Sequence, residues 1–250
     1  TNNLEMTGKI VYASFRHDAS RALDPQVHTH NVVVNVTRDS EGKYKALESV
    51  EMCRAIRYAG KVYHNELAKR CRELGYDMVN RHDEKGNITW QDIAGVSEEL
   101  MEKFSKRRLQ IEAEEAKFIE EHGRKPTLSE NNFIAVTTRN SKMKHIDRAE
   151  VKKLQIAEMS DSEYQELRNI FFKARRASGM YISGDLDRAK KMLEEALPLV
   201  FERESVVKLD KVLAEALNQN LGEVDLETLK NAVKEVPELR DLGGLKVNPW

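Results

Sequence analysis

The sequence predicts an α+β fold: an antiparallel sheet carrying a three-histidine cluster, followed by a largely helical C-terminal half. Three observations lead there. The first fifty residues hold β-branched runs separated by turn residues, whereas from about Ser49 apolar residues recur at three- and four-residue spacing. Three of the seven histidines, His17, His28 and His30, fall inside one short stretch of the strand-like part. With 40% hydrophobic residues, only 6% aromatic and 33% charged, the chain has modest cores and much solvated surface. Its 250 residues suffice for one full domain and a second, smaller unit.

The first strand is predicted over Lys9 to Arg16 and ends at His17. A second covers Val27 to Thr37, and Asp24-Pro25 between them is a turn signal that lets the two return antiparallel. Side chains of a strand alternate faces, so His28 and His30 project from one side, about 6–7 Å apart. His17, brought beside them, completes a facial set of three imidazoles able to hold a divalent metal with positions open for substrate. A His-x-His pair in a strand also occurs as two surface or hydrogen-bonded histidines, and spacing leaves both readings open. Val32, Val34 and Val36 continue the histidine face, which is expected to be covered beyond its open metal end. Asn31, Asn35 and Thr37 make the other face polar. Lys43 to Leu47 is the third strand, joined by a hairpin loop over Arg38 to Gly42.

Helical periodicity begins with Val50, Cys53, Ile56, Tyr63, Leu67 and Cys71 and stops at Leu74-Gly75, where Gly75 suits a left-handed cap. Tyr76 to Val79 and Ile88 to Trp90 predict a short hairpin. Ser97, followed by Glu98 and Glu99, starts a helix through Leu100, Phe104 and Ile111 to His122-Gly123. Gly123 to Thr127 breaks it, and Thr127 or Ser129 caps a short successor. Beyond Asp147 come amphipathic helices over Ala149 to Ala157, Ser162 to Ala177, Asp185 to Phe201, Leu209 to Leu217 and Leu226 to Val236, punctuated by Gly179, Ser183-Gly184 and Pro198.

Composition excludes several function classes. No apolar run approaches eighteen residues and no signal peptide is visible, so nothing points to a membrane or to export. No Gly-x-x-x-x-Gly-Lys-Ser/Thr run occurs, so no ATP site is expected. Cys53 and Cys71 lack metal or redox spacing and read as small buried residues of a reduced protein. His64, His82, His122 and His145 stand alone and read as surface residues. Tyr12 alternates with Ile10 and reads as packing. The net charge of −1 does not advertise a polyanion partner. The charge is clustered, however: Lys106, Arg107, Arg108, Arg124, Lys125, Arg139, Lys142 and Lys144 form the main positive block, without offsetting acids.

The segment Phe15-x-His17-Asp18-x-Ser20-Arg21-x-x-Asp24-Pro25-x-x-His28-Thr29-His30 resembles the metal-binding signature of conjugative relaxases. These are plasmid-transfer nucleases of the HUH superfamily, in the TrwC/TraI-like type fused to a helicase. The likeness continues through Gly42 to Leu47, through Tyr63 to Leu67 and Leu74 to Tyr76, and through Ile93 to Val96 and Phe104 to Arg108. It runs to about residue 145 and weakens beyond. The resemblance implies that His17, His28 and His30 ligate a divalent metal, Mg²⁺ or Mn²⁺, with Zn²⁺ as the alternative. It also implies that a tyrosine attacks single-stranded DNA at an origin of transfer. The basic block then reads as a strand-gripping surface, with His145 at its edge, rather than as a solvated face.

The resemblance further implies a bacterial, cytoplasmic protein whose partners are single-stranded DNA, relaxosome components and type IV secretion coupling proteins. Residues 1–122 would be the C-terminal part of the relaxase catalytic domain. Residues 123–160 would be a helical, basic DNA-clamping segment, and 161–250 a helical linker with the start of a helicase region, which Phe201 to Val206 and Leu209 to Leu217 faintly resemble. The family carries its nucleophilic tyrosines, and an acid that orients one ligand, upstream of the histidines. Here Thr1 precedes His17 by only sixteen residues, so the expectation is a fragment that is inactive by itself. Two alternatives stand beside this. One is a non-catalytic module that binds single-stranded DNA or a relaxosome partner. The other is an unrelated hydrolase with metal-activated water, for which Asp18 and Asp24 are the only nearby bases.

Overall fold

A computed structural model describes residues 5–83, 88–139, 147–202, 204–236, 239–241 and 245–247. In chain order the elements are β1 (Tyr12–Ala19), β2 (Pro25–Val33), β3 (Thr37–Arg38), β4 (Tyr44–Lys45), α1 (Ser49–Arg54), α2 (Ile56–Glu73), β5 (Met78–His82) and β6 (Ile88–Ile93). Then follow α3 (Glu98–Lys103), α4 (Lys106–His122), α5 (Leu128–Thr137), α6 (Arg148–Ala157), α7 (Asp161–Ala177) and α8 (Leu186–Val200). The last are β7 (Val206–Lys208), α9 (Leu209–Gln219), α10 (Leu226–Glu235), β8 (Arg240–Asp241) and β9 (Leu245–Val247). They form two compact units, residues 1–47 with 96–166, and 48–95 with 167–250.

The first unit is built on the antiparallel β1–β2 pair and is held largely by polar contacts. The turn between the strands places Leu23 at φ 66°, a left-handed conformation a branched side chain adopts only under constraint. α6 supplies part of that constraint. Gln155 Nε2 donates to the Leu23 carbonyl at 2.8 Å, and the Arg148 guanidinium reaches the Arg16 carbonyl and the Asp18 carboxylate, each at 3.3 Å. Thr127 caps α5 in a reciprocal capping box with Glu130. Lys103 closes on Glu163 at 2.6 Å; Ser97 is the N-cap of α3 but its hydroxyl makes no capping bond, and its amide donates to Glu166.

The second unit contains the main apolar core. α8, α9 and α10 bury Met192, Leu193, Val212, Leu213, Leu217 and Leu229, and Tyr58 and Val62 of α2 pack against them. Asn65 inside α2 is 1% exposed and holds the loop before α10, accepting from the Gly222 amide at 2.7 Å and donating to the Val224 carbonyl at 2.9 Å. The path α8–β7–α9–α10–β8–β9, with strand order β7-β9-β8, is that of a winged helix. Topology alone assigns such a module no ligand.

Several expectations need correction. β2 ends at Val33 instead of Thr37, because the chain turns at Val36, whose amide donates to the Val34 carbonyl at 2.7 Å. Val32 and Val34 are 56% and 47% exposed, so the expected cover over the histidine face is not found among the described residues. Tyr12 is 62% exposed and is not packed. The predicted helix from Ser49 to Leu74 divides at Ala55. That from Ser97 to His122 divides at Phe104-Ser105, where Ser105 turns its hydroxyl onto the Met101 carbonyl. By contrast, the helix predicted over Asp185 to Phe201 does run through Pro198 to Val200, since a proline in the last turn forfeits one hydrogen bond. Cys53 is exposed and Cys71 half-buried, neither a core residue.

Candidate metal centre and its groove

The β1–β2 register sets His17 opposite His28 and Phe15 opposite His30. Directly opposed residues share a face, as do residues two apart on one strand, so the three imidazoles lie on one side of the pair. Their ring centroids are 5.3 Å (His17–His28), 5.0 Å (His17–His30) and 5.0 Å (His28–His30) apart. The spacing suits a common ion. A metal about 2.1 Å from each ligating nitrogen lies roughly 3.2 Å from each ring centre, and near-tetrahedral angles then separate the centres by about 5 Å. His28 Nδ1 sits 2.9 Å from the Gln26 carbonyl. A carbonyl can only accept, so Nδ1 donates, and in the neutral ring that leaves the lone pair on Nε2, the tautomer of a metal ligand. The nitrogens themselves do not converge: among the described residues no three His, Cys, Asp or Glu side chains are placed to hold a metal. The backbone therefore fixes the shared face and the ring spacing, and the ligating geometry is not formed.

The histidines line one wall of a cavity of about 910 Å³. The β1–β2 turn, the N-terminal half of α4 and Arg139 complete the lining. Tyr12 is in register with Val33, on the face opposite His17, and no described tyrosine lines the cavity.

The predicted cations have diverse fates. Lys106 lies 2.6 Å from Glu158 and 3.5 Å from Asp24. Arg108 pairs with Glu112 at 2.8 Å, and Arg124 makes a fork onto Glu130 at 2.7 and 2.8 Å. Arg107 points its guanidinium at the C-terminal end of α5, donating to the Thr138 carbonyl at 2.9 Å, the Thr138 hydroxyl at 3.0 Å and the Ala135 carbonyl. The supposed absence of offsetting acids is thus overturned for Lys106, Arg108 and Arg124, because α4 and α6 bring Glu112 and Glu158 alongside and the capping box supplies Glu130. Among the described residues the side chains of Lys125 and Arg139 have no ion pair. Lys142, Lys144 and His145 lie outside the described residues.

Sequence reading missed Arg21 and the acids Glu112 and Glu115, all on the cavity wall. The signal was present for α4: Arg108, Ile111, Glu112 and Glu115 stand at i, i+3, i+4 and i+7 and so share one face. His64 also differs from expectation. It is half-buried with its ring 4.5 Å from that of Trp90, and burial pushes its pKa down. His82 and His122 are exposed as expected, and His122 stacks on Phe118 at 4.0 Å.

The model of the TrwC relaxase family matches residues 1–162. The multifunctional conjugation protein TraI of Escherichia coli is 37% identical over 153 residues, which is 57% of this chain and 8% of that protein. Among solved structures, a metal-free complex of the conjugative relaxase TrwC with oriT DNA superposes with a TM-score of 0.52 at 36% identity, covering 62% of this chain and 52% of that one. A metal-bound TrwC–oriT DNA complex gives 0.51 at 36% identity, covering 62% and 51%. The chain thus spans a small part of TraI and about half of each TrwC chain.

Proposed function

The chain belongs to the TrwC relaxase family, and on that premise we propose that it is part of a metal-dependent relaxase that nicks single-stranded DNA at an origin of transfer during conjugation. The observation that carries the reading is the gathering of His17, His28 and His30 on one face of β1–β2, beside a groove with arginines on its walls. The three neutral imidazoles would hold Mg²⁺ or Mn²⁺, with Zn²⁺ as the alternative, and the ion supplies Lewis-acid neutralisation of charge building on a phosphodiester. His28 serves through Nε2, the nitrogen left for the metal when Nδ1–H donates to the Gln26 carbonyl.

Around that centre the groove residues bind and orient the strand. Arg139, on the lining, offers its guanidinium group to phosphates, and Lys125, Lys142 and Lys144 are the further cations proposed to contact the strand. Lys106, Arg107, Arg108 and Arg124 act first on protein partners and contribute less to the strand. The nucleophile is a tyrosine hydroxyl whose attack leaves a 5′-phosphotyrosine and a free 3′-hydroxyl. Tyr12 faces away and no described tyrosine lines the groove, so this chain by itself forms no such adduct.

Residues 1–122 are then the C-terminal part of a relaxase catalytic domain, 123–160 a DNA-clamping segment, and 161–250 a linker and the start of a helicase region. Relaxosome and coupling proteins are the further partners, in the bacterial cytoplasm. No helix among the described residues is long and apolar enough to cross a membrane. The lack of a tyrosine on the groove favours, as second reading, a module that binds single-stranded DNA without cutting it.

A denaturing gel of labelled origin-of-transfer oligonucleotide with Mn²⁺ separates the two readings. Joined to a tyrosine-bearing relaxase segment, the chain should form a covalent adduct that His30→Ala abolishes while DNA binding persists. Binding without any adduct in the joined protein would leave the module reading.

A further inference from the structure

On the same cavity lining as the histidines stands one buried carboxylate whose charge partners the proposed chemistry does not use. Asp24, the last residue of the β1–β2 turn, is 4% exposed, although a carboxylate in so dry a place needs compensation. The Lys106 ammonium lies 3.5 Å from its Oδ1, too long for a good hydrogen bond, and that oxygen has no other partner. Lys106 is itself held by both oxygens of Glu158, at 2.8 and 2.6 Å, from the residue that ends α6. One ammonium therefore joins three segments: the turn, the first residue of α4 and the end of α6.

The turn needs holding for a reason that the strand register supplies. His17 pairs with His28, but Ala19 pairs with Pro25. One residue on β1, Asp18, thus faces two on β2, Gln26 and Val27, which is a bulge between the turn and the metal face. Sliding β2 by one residue would remove the bulge and carry His28 and His30 to the opposite face, away from His17. Against that slip the turn has its own ties. The Ser20 hydroxyl accepts from the Ala22 and Asp24 amides, each at 3.1 Å, and the Ser20 amide donates to the Asp24 carbonyl at 2.9 Å. Leu23, at φ 66°, pulls the other way, since its left-handed conformation is relieved if the turn reopens.

Resting on the metal reading above, we propose that Asp24 and Lys106 are positioning residues: their ion pair, anchored by Glu158, locks the β1–β2 register that brings His28 and His30 beside His17. Lys106 thereby serves the metal centre before the DNA backbone.

The test is Mn²⁺ calorimetry on the whole chain, with hydrogen exchange as a control on folding. Lys106→Met and Asp24→Asn should each weaken Mn²⁺ about 10- to 100-fold, the range seen when groups behind metal ligands are removed. Exchange in β1–β2 should rise, while that of α8 to α10 stays unchanged. Lys106→Arg, which keeps the charge, should retain affinity. Wild-type affinity in Lys106→Met, with binding lost in a His28→Ala, His30→Ala variant, would overturn the clamp and leave the metal site standing. Binding retained in the histidine variant would overturn the site and the clamp together. General loss of protection in Lys106→Met, α8 to α10 included, would make Lys106 a residue of bulk stability and refute its positioning role.

Discussion

Arg107 and Arg139 both read as DNA contacts from sequence, and the structure predicts opposite consequences for losing them. Arg107 makes three charge-assisted hydrogen bonds to the end of α5. Arg107→Ala leaves those carbonyls, parts of which are shielded, without a donor, at a cost of about 2–3 kcal/mol to the α4–α5 contact. Arg139 lines the groove and has no ion pair among the described residues. Arg139→Ala should leave stability within about 0.5 kcal/mol of wild type but remove one phosphate contact. For single-stranded DNA one contact is worth about 0.7 in the slope of log affinity against log salt. Raising salt from about 50 to 200 mM would then weaken Arg139→Ala about 2.6-fold less than wild type. Fluorescence anisotropy with a labelled oligonucleotide, measured across that range beside urea unfolding of both variants, separates the effects. An altered slope in Arg107→Ala with an unaltered one in Arg139→Ala would refute the assignment of roles.

Two further outcomes follow from the polar framework. Hydrogen bonds from Lys103 and the Ser160 amide lower the Glu163 carboxyl from 4.5 to about 2; because the folded-state value is the depressed one, its contribution is complete above about pH 4.5 and is lost as pH falls toward 2. NMR titration of the Glu163 carboxyl should show that low midpoint, and Lys103→Met should return it toward the ordinary carboxylate range; a midpoint near 4.5 in wild type would contradict the contact. Asn65→Ala strips partners from the Gly222 amide and the Val224 carbonyl, so urea unfolding should show a loss of about 1–3 kcal/mol for each group left buried. A change below about 0.5 kcal/mol would show that water replaces the side chain.

The histidine face was legible in the sequence because a strand has period two and Asp24-Pro25 announces a return of the chain. That His28 and His30 share a face follows from the period; that His17 stands opposite His28 depends on the bulge between that pair and the Ala19–Pro25 pair, which no local pattern announces. Helix ends were legible where a cap is chemical, as at Thr127 and at Gly123 with its φ of 66°. The breaks at Ala55 and Ser105 were not, because neither residue is a strong helix breaker, and at Ser105 the hydroxyl bond to Met101 is made only in the folded chain. The strands β7, β8 and β9 are two or three residues long, too short for periodicity to register. Charge was the least legible layer. Whether Lys106 meets DNA or Glu158 depends on where α6 returns, some fifty residues later in the chain, and no local pattern encodes that.

The central claim is that His17, His28 and His30 together hold one divalent ion. Paramagnetic broadening tests it directly, because Mn²⁺ broadens the imidazole proton signals of its ligands strongly at substoichiometric loading. Titrating the chain with Mn²⁺ and following all seven histidines, assigned by single substitutions, should broaden His17, His28 and His30 together, with His64, His82 and His122 sharp until the site is saturated. Broadening of His28 and His30 without His17, or no preference among the seven, would contradict a shared three-histidine centre.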